Sequence, residues 1–153
     1  MARTYILTAS PDNHAVTAEH GFEVIGLKER RRNPALAVEA GDRFVLYLTQ
    51  VMAFAGSIRI AGEMFEDRTP LWPGKPGKAE DYRWRFPTEP EVIVEEPEWV
   101  PAASFLGALE HLDKWPREHW KLAFQGQIRP VSEHDADVLV DRLRAAAAAP
   151  AGA

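Results

Sequence analysis

Among its 153 residues the chain has no cysteine, which removes disulfides, zinc–thiolate centres and thiol nucleophiles together. That composition fits a reducing compartment. It also lacks any apolar run near the ~20 residues needed to span a bilayer. Its first four residues, Met-Ala-Arg-Thr, lead into a short apolar stretch without a signal-peptide core or cleavage site. A cytoplasmic location is the expectation. The histidines, at 14, 20, 111, 119 and 134, never take the i, i+4 spacing that sets two imidazoles on one helix face. No metal and no cofactor are expected. Ser57 follows Gly56 without the second glycine of a nucleophile elbow. Gly74-Lys75-Pro76-Gly77-Lys78 lacks the GxxxxGK[ST] spacing of a phosphate loop, and Pro76 removes an N–H that such a loop needs. No catalytic set stands out.

What the chain does have is an ordinary globular composition, 46% hydrophobic and 27% charged, in a length that suits one domain. Eighteen basic against 23 acidic residues leave a formal charge of −5, which argues against indiscriminate coating of a duplex. Local sign counts for more than the sum. Positive charge gathers at Lys28, Arg30, Arg31 and Arg32, and again at Lys75, Lys78, Arg83 and Arg85; acid gathers at Glu89, Glu91, Glu95, Glu96 and Glu98. Trp72, Trp84, Trp99, Trp115 and Trp120 all sit among prolines or charges, where indoles line rims and pockets as well as interiors.

The sharpest local signal is an apolar strand over Thr4–Ala9 that meets Ser10-Pro11-Asp12-Asn13 at once. Ser10 suits an N-cap and Pro11 the first helical position. The helix should run over 11–20 and stop at Gly21. Asn33-Pro34 reads as the start of a brief helix ending at Gly41. Strands are expected over 43–49 and 54–60, with Gly56 marking a bulge or a close backbone approach. Residues 66–81 read as a long loop. Further strands are expected over 82–86 and 91–95, and a helix over 102–112. The last helix opens on a possible capping box, Ser132 and Asp135. These elements make an α+β domain on a small, curved or barrel-like sheet, residues 1–145, with a fraying Ala-rich tail at 146–153.

Several blocks, in order, resemble one family. They are residues 5–13; His20-Gly21-Phe22 with Gly26-Leu27-Lys28; residues 41–47; Ala53-Phe54-Ala55-Gly56; Tyr82-Arg83-Trp84-Arg85; and residues 114–124. The set is similar to the EVE domain, in its small stand-alone prokaryotic branch, over about residues 5–143. The resemblance implies a PUA-like mixed β pseudobarrel with flanking helices, related to YTH and ASCH domains, several of which hold a modified base in an aromatic-lined pocket. It also implies that Ser10 and Asn13 face the base. Where YTH domains place a cage tryptophan, this chain has Phe22 and Ile25; Arg83 stands where the EVE pattern often has proline.

Each candidate also has a plain structural role. Ser10 is first a cap. Asn13 is a poor helix former whose amide offers a donor and an acceptor. Phe22, Tyr47 and Trp120 suit a core as well as a pocket, and Thr49 can simply finish a strand. Trp72 can be a lid or a packing anchor. Trp84 and Arg85 alternate on their strand, so one faces the pocket side while the other faces away. Ser10, Asn13, Phe22, Tyr47, Thr49, Trp72, Tyr82, Arg85 and Trp120 are the candidate ligand-binding set. Lys28, Arg30, Arg31, Arg32 and Lys75 are the candidate phosphate contacts. The reading is a non-catalytic module that binds modified DNA or RNA. The alternatives are an enzyme on a nucleobase-like substrate, with Asp12 or a histidine as base, and a module that binds a small anion or metabolite.

Overall fold

A computed structural model describes residues 2–73, 80–124 and 128–148. The first strand, β1 (Thr4–Ala9), hands over through Ser10 to helix α1 (Pro11–Glu19), which closes at His20. Gly21, at φ +68°, then turns the chain into β2 (Val24–Leu27). A 3₁₀ turn at Glu29–Arg31 runs directly into α2 (Arg32–Ala35). The Asn33-Pro34 helix is therefore one turn long, and Asn33 lies inside it rather than capping it.

Strands β3 (Arg43–Leu48) and β4 (Ala53–Ile60) form a hairpin. Two-residue β5 (Phe65–Glu66) follows, then β6 (Trp84–Ile93), β7 (Val100–Pro101) and a 3₁₀ turn at Ala102–Phe105. Gly107, at φ +83°, interrupts the helix expected over 102–112, so that only α3 (Glu110–Asp113) is α-helical there. A kinked 3₁₀ stretch (Arg117–Phe124), β8 (Ile128–Val131) and α4 (Glu133–Ala148) complete the described chain. Helix α4 continues into the Ala-rich tail, and Ala146 packs on the core; residues 149–153 lie outside the described residues.

The sheet order is β2-β6-β4-β3-β1-β8, with β5 on β6 and β7 on β4. Strands β1 and β3 are parallel in register, Thr4 opposite Arg43 through Ala9 opposite Leu48, and every other pairing among the described residues is antiparallel. Alternation along β1 and β3 sends Ile6, Val45 and Tyr47 to one face and Tyr5, Leu7, Phe44 and Leu46 to the other. The first face buries Phe54, Phe105, Phe124, Leu139 and Leu143 under the 3₁₀ turns and α4. The second buries Ile25, Leu27, Ile58 and Phe86, closed by β2 and the α2 segment.

Strand β6 runs through both prolines where two separate strands are expected. Its first half, 84–87, pairs with β2, and its second half pairs with β4. Pro87 sits where the partner changes. Pro90 adjoins a bulge at which Ser57 faces Val92 and Ile58 faces Pro90, leaving Glu91 without a partner residue. Bulges and partner changes are the places where a strand tolerates a missing N–H. Gly56, at φ +154°, brings its backbone against the carbonyl of Val92, the close approach expected of a glycine there.

Candidate nucleic-acid interface

Ser10 is extended, and its Oγ accepts the Asn13 backbone N–H at 3.1 Å, so its oxygen is engaged as the cap of α1. This cap sets the first turn and aims the Asn13 side chain inward, where the residue is 8% exposed. Asn13 Nδ2 donates to the Tyr82 hydroxyl at 3.0 Å. One turn later the Thr17 hydroxyl donates to the Asn13 carbonyl at 3.1 Å and accepts the Trp72 indole N–H at 2.9 Å. Trp72 in turn lies flush on Gly26 of β2: a Cβ there would stand 2.5 Å from the indole Cζ3. Tyr82 meets the same indole edge-on, centroids 5.9 Å apart.

Arg85 secures this arrangement from below. Its guanidinium lies 5.0 Å from the Trp72 ring centre. It donates to the backbone carbonyls of Tyr82 (3.2 Å), Asp81 (3.4 Å) and Thr69, and faces Asp67 at 3.5 Å. At 1% exposure it is a buried charge whose donors go to loop carbonyls, an arrangement that fixes the loop. The Asp67 carboxyl titrates below its ordinary value, chiefly because it accepts the Thr69 backbone N–H.

The other candidates lie elsewhere. Phe22, at φ +57°, packs its ring against His14 at 5.6 Å. Thr49 turns both its N–H (2.9 Å) and its hydroxyl (3.4 Å) to the Ala9 carbonyl, finishing β3 beside Ser10. Tyr47 stacks on Phe124 at 4.6 Å and meets Phe54 edge-on, and burial raises the pKa of its hydroxyl. Trp120 meets Phe124 at 6.2 Å. Both rings therefore pack with the core under α4, on the sheet face opposite Leu7 and Phe44. The structure brings together Ser10, Asn13, Trp72, Tyr82 and Arg85, and does not draw Tyr47 or Trp120 into their ring contacts. Thr17 and Gly26 belong to this arrangement although neither was a candidate site residue from sequence. Thr17 lies four residues from Asn13, on the same helix face. Gly26 interrupts an apolar strand, which is a cue for close approach.

The basic segment follows β2 directly. Arg30 and Arg32 are exposed and Lys28 and Arg31 are partly so. Arg32 covers the Trp84 ring at 4.8 Å, while the Trp84 indole N–H donates to Glu29. Arg31 has its pKa lowered by burial first, then by Arg30 and Arg129. Lys75 lies outside the described residues. Away from this region, Glu110, His134 and Asp135 place three potential ligand atoms within 4.8 Å of one another. The Asp135 oxygens there accept the backbone N–H groups of Glu110 and His111, each at 2.8 Å, so that the carboxylate caps α3. The same carboxylate raises the pKa of His134.

This curled mixed sheet with helices across its open faces is the PUA-like fold that the EVE resemblance implied. Solved structures share it. The YTH domain of the Zygosaccharomyces rouxii MRB1 protein, in complex with N6-methyladenosine RNA, aligns with a TM-score of 0.65 and 13% identity, covering 94% of this chain and 87% of that one. Human THYN1, in complex with DNA containing 5-methylcytosine, aligns at 0.60 and 16%, covering 93% and 98%. A Pseudomonas putida protein aligns at 0.59 and 20%, covering 92% and 99%. No family model and no curated protein sequence matches the chain.

Proposed function

We propose that this domain reads a modified base in DNA or RNA by binding, without catalysis. The observation that carries the proposal is the buried Asn13 amide, held by the Tyr82 hydroxyl beside the Trp72 indole at the strand-to-helix mouth. A carboxamide offers a base edge a donor and an acceptor, and aromatic rings supply stacking worth about 1–3 kcal/mol per base. The base leaves its stack to enter, at a cost that single-stranded targets reduce. Flanking phosphates run along Lys28, Arg30, Arg31 and Arg32, contacts that position a strand without reading its sequence. Support comes from two neighbours of the same fold, one bound to N6-methyladenosine RNA and one to 5-methylcytosine DNA.

The test is a calorimetric titration with short RNA and DNA strands, each with and without N6-methyladenine or 5-methylcytosine. One modified strand is expected to bind at least tenfold tighter than its unmodified twin, and Asn13→Ala is expected to remove that difference. Equal binding of all strands, or none, overturns the proposal.

A further inference from the structure

The turn of α1 that carries Asn13 also carries a polar ring with no role in the site just described. His14 is only 9% exposed. Its imidazole lies between Phe22, at 5.6 Å and 53°, and Trp99, at 5.8 Å and 84°. Its backbone N–H is spent on the Ser10 carbonyl at 2.9 Å, yet neither ring nitrogen has a hydrogen-bond partner among the described residues. Burying a polar group in this way costs about 1–3 kcal/mol unless something else satisfies it. Among the described residues, the fully enclosed, unpaired side-chain atoms are Tyr5 Oη, Arg31 Nε and His111 Nδ1. The His14 nitrogens are not among them, so they keep a small contact with solvent.

The two rings packed on His14 are held in place. Trp99 donates its indole N–H to the Val94 carbonyl at 3.0 Å, and the Phe22 carbonyl accepts the Thr88 hydroxyl at 2.7 Å. Burial lowers the pKa of His14 below its ordinary value, which keeps the ring neutral near pH 7 with one donor and one acceptor. The charged side chains nearest to these rings in the chain are acidic: Asp12, Glu19 and Glu23 around α1, and Glu95, Glu96 and Glu98 before Trp99. A phosphate is therefore disfavoured there, and a flat, uncharged, hydrogen-bonding ring is favoured.

We infer that His14, Phe22 and Trp99 form a second subsite that takes an uncharged heterocycle, namely the nucleobase next to the one held at Asn13. The inference rests on the reader function proposed above. Calorimetric titrations of the full chain with a modified nucleoside (N6-methyladenosine or 5-methyldeoxycytidine) and with dinucleotides containing it test both readings separately. His14→Phe keeps the ring and removes its nitrogens, and its melting temperature is expected to match or exceed the parent's. Its affinity for the nucleoside is expected to stay within twofold, while its affinity for the dinucleotide falls about tenfold.

Equal affinities of parent and variant for both probes, or equal losses on both, overturn the second subsite and leave the reader function standing. Failure of the parent to bind any probe overturns both. Should His14→Phe not fold, nitrogen NMR of the parent decides: the His14 ring signals shift with the dinucleotide and not with the nucleoside, and the absence of that difference overturns the inference.

Discussion

Asn13 is a poor helix former in the first turn of a helix, and its side chain is turned away from solvent. The Ser10 cap takes the Asn13 backbone N–H, and the side-chain Nδ2 donates to Tyr82. The capping role was legible in the sequence because it depends on neighbours in the chain. The partnership with Tyr82, 69 residues away, was not. Gly26 makes the same point: its place in an apolar run was legible, but the indole on its surface was not. Gly26→Ala must move Trp72 and is expected to destabilise the fold by about 1–3 kcal/mol in urea unfolding, and to weaken any strand that binds at Asn13.

Glu91 shows how a bulge concentrates charge. It receives Arg43 Nε at 2.6 Å, Ser57 Oγ at 2.8 Å, and Arg59. Partial burial works to raise its pKa, but these hydrogen bonds prevail and hold it at about 2, against an ordinary 4.5. A lowered carboxylate pKa contributes stability that is complete above about pH 4.5 and is lost as pH falls towards 2. With Arg59 35% exposed, that contribution is discounted to on the order of 2 kcal/mol. Glu91→Gln is therefore expected to lower stability at pH 7 by about that amount and to flatten its fall between pH 5 and pH 2, as measured by urea unfolding at several pH values.

At the scale of elements, several parts set by local chemistry matched expectation, while the one-turn α2 and the helix cut at Gly107 did not. Strand β1, helix α1 and the β3–β4 hairpin follow from alternation, caps and turns. The continuity of β6 does not, because Pro87 and Pro90 are tolerated only through the partners that β2 and β4 supply. Asp135 reads in sequence as half of a capping box. Its N–H does go to Ser132 Oγ at 3.2 Å, but its carboxylate caps α3, whose own N-cap residue, Leu109, has no side chain to do so. Asp135 is 1% exposed, so Asp135→Ala strands the buried His111 N–H and frees the half-covered Glu110 N–H. The expected cost is about 2–3 kcal/mol, read from the thermal midpoint, with the loss of order concentrated at Glu110–Asp113 in hydrogen exchange.

For the whole molecule, a net charge of −5 coexists with one basic run after β2. Strand binding is expected to weaken with salt, and Arg30→Ala with Arg32→Ala to reduce the slope of log K against log salt by about 1 to 2. An unchanged slope would place the phosphates elsewhere. The EVE resemblance made this architecture legible because it covers nearly the whole chain, whereas the face on which Tyr47 and Trp120 pack depended on helices that return from the far end of the sequence.

Under the proposed reader function, one strand also ties binding to resistance against acid. Arg85, which steadies Trp72, and Glu91, which restrains Arg43 and Arg59, both belong to β6. Any ligand that binds the folded chain alone, a reader's strand included, would stabilise it against the proton uptake at Glu91. Saturating occupancy should shift the midpoint of acid denaturation downward, with each hundredfold excess over Kd adding about 2.7 kcal/mol of protection.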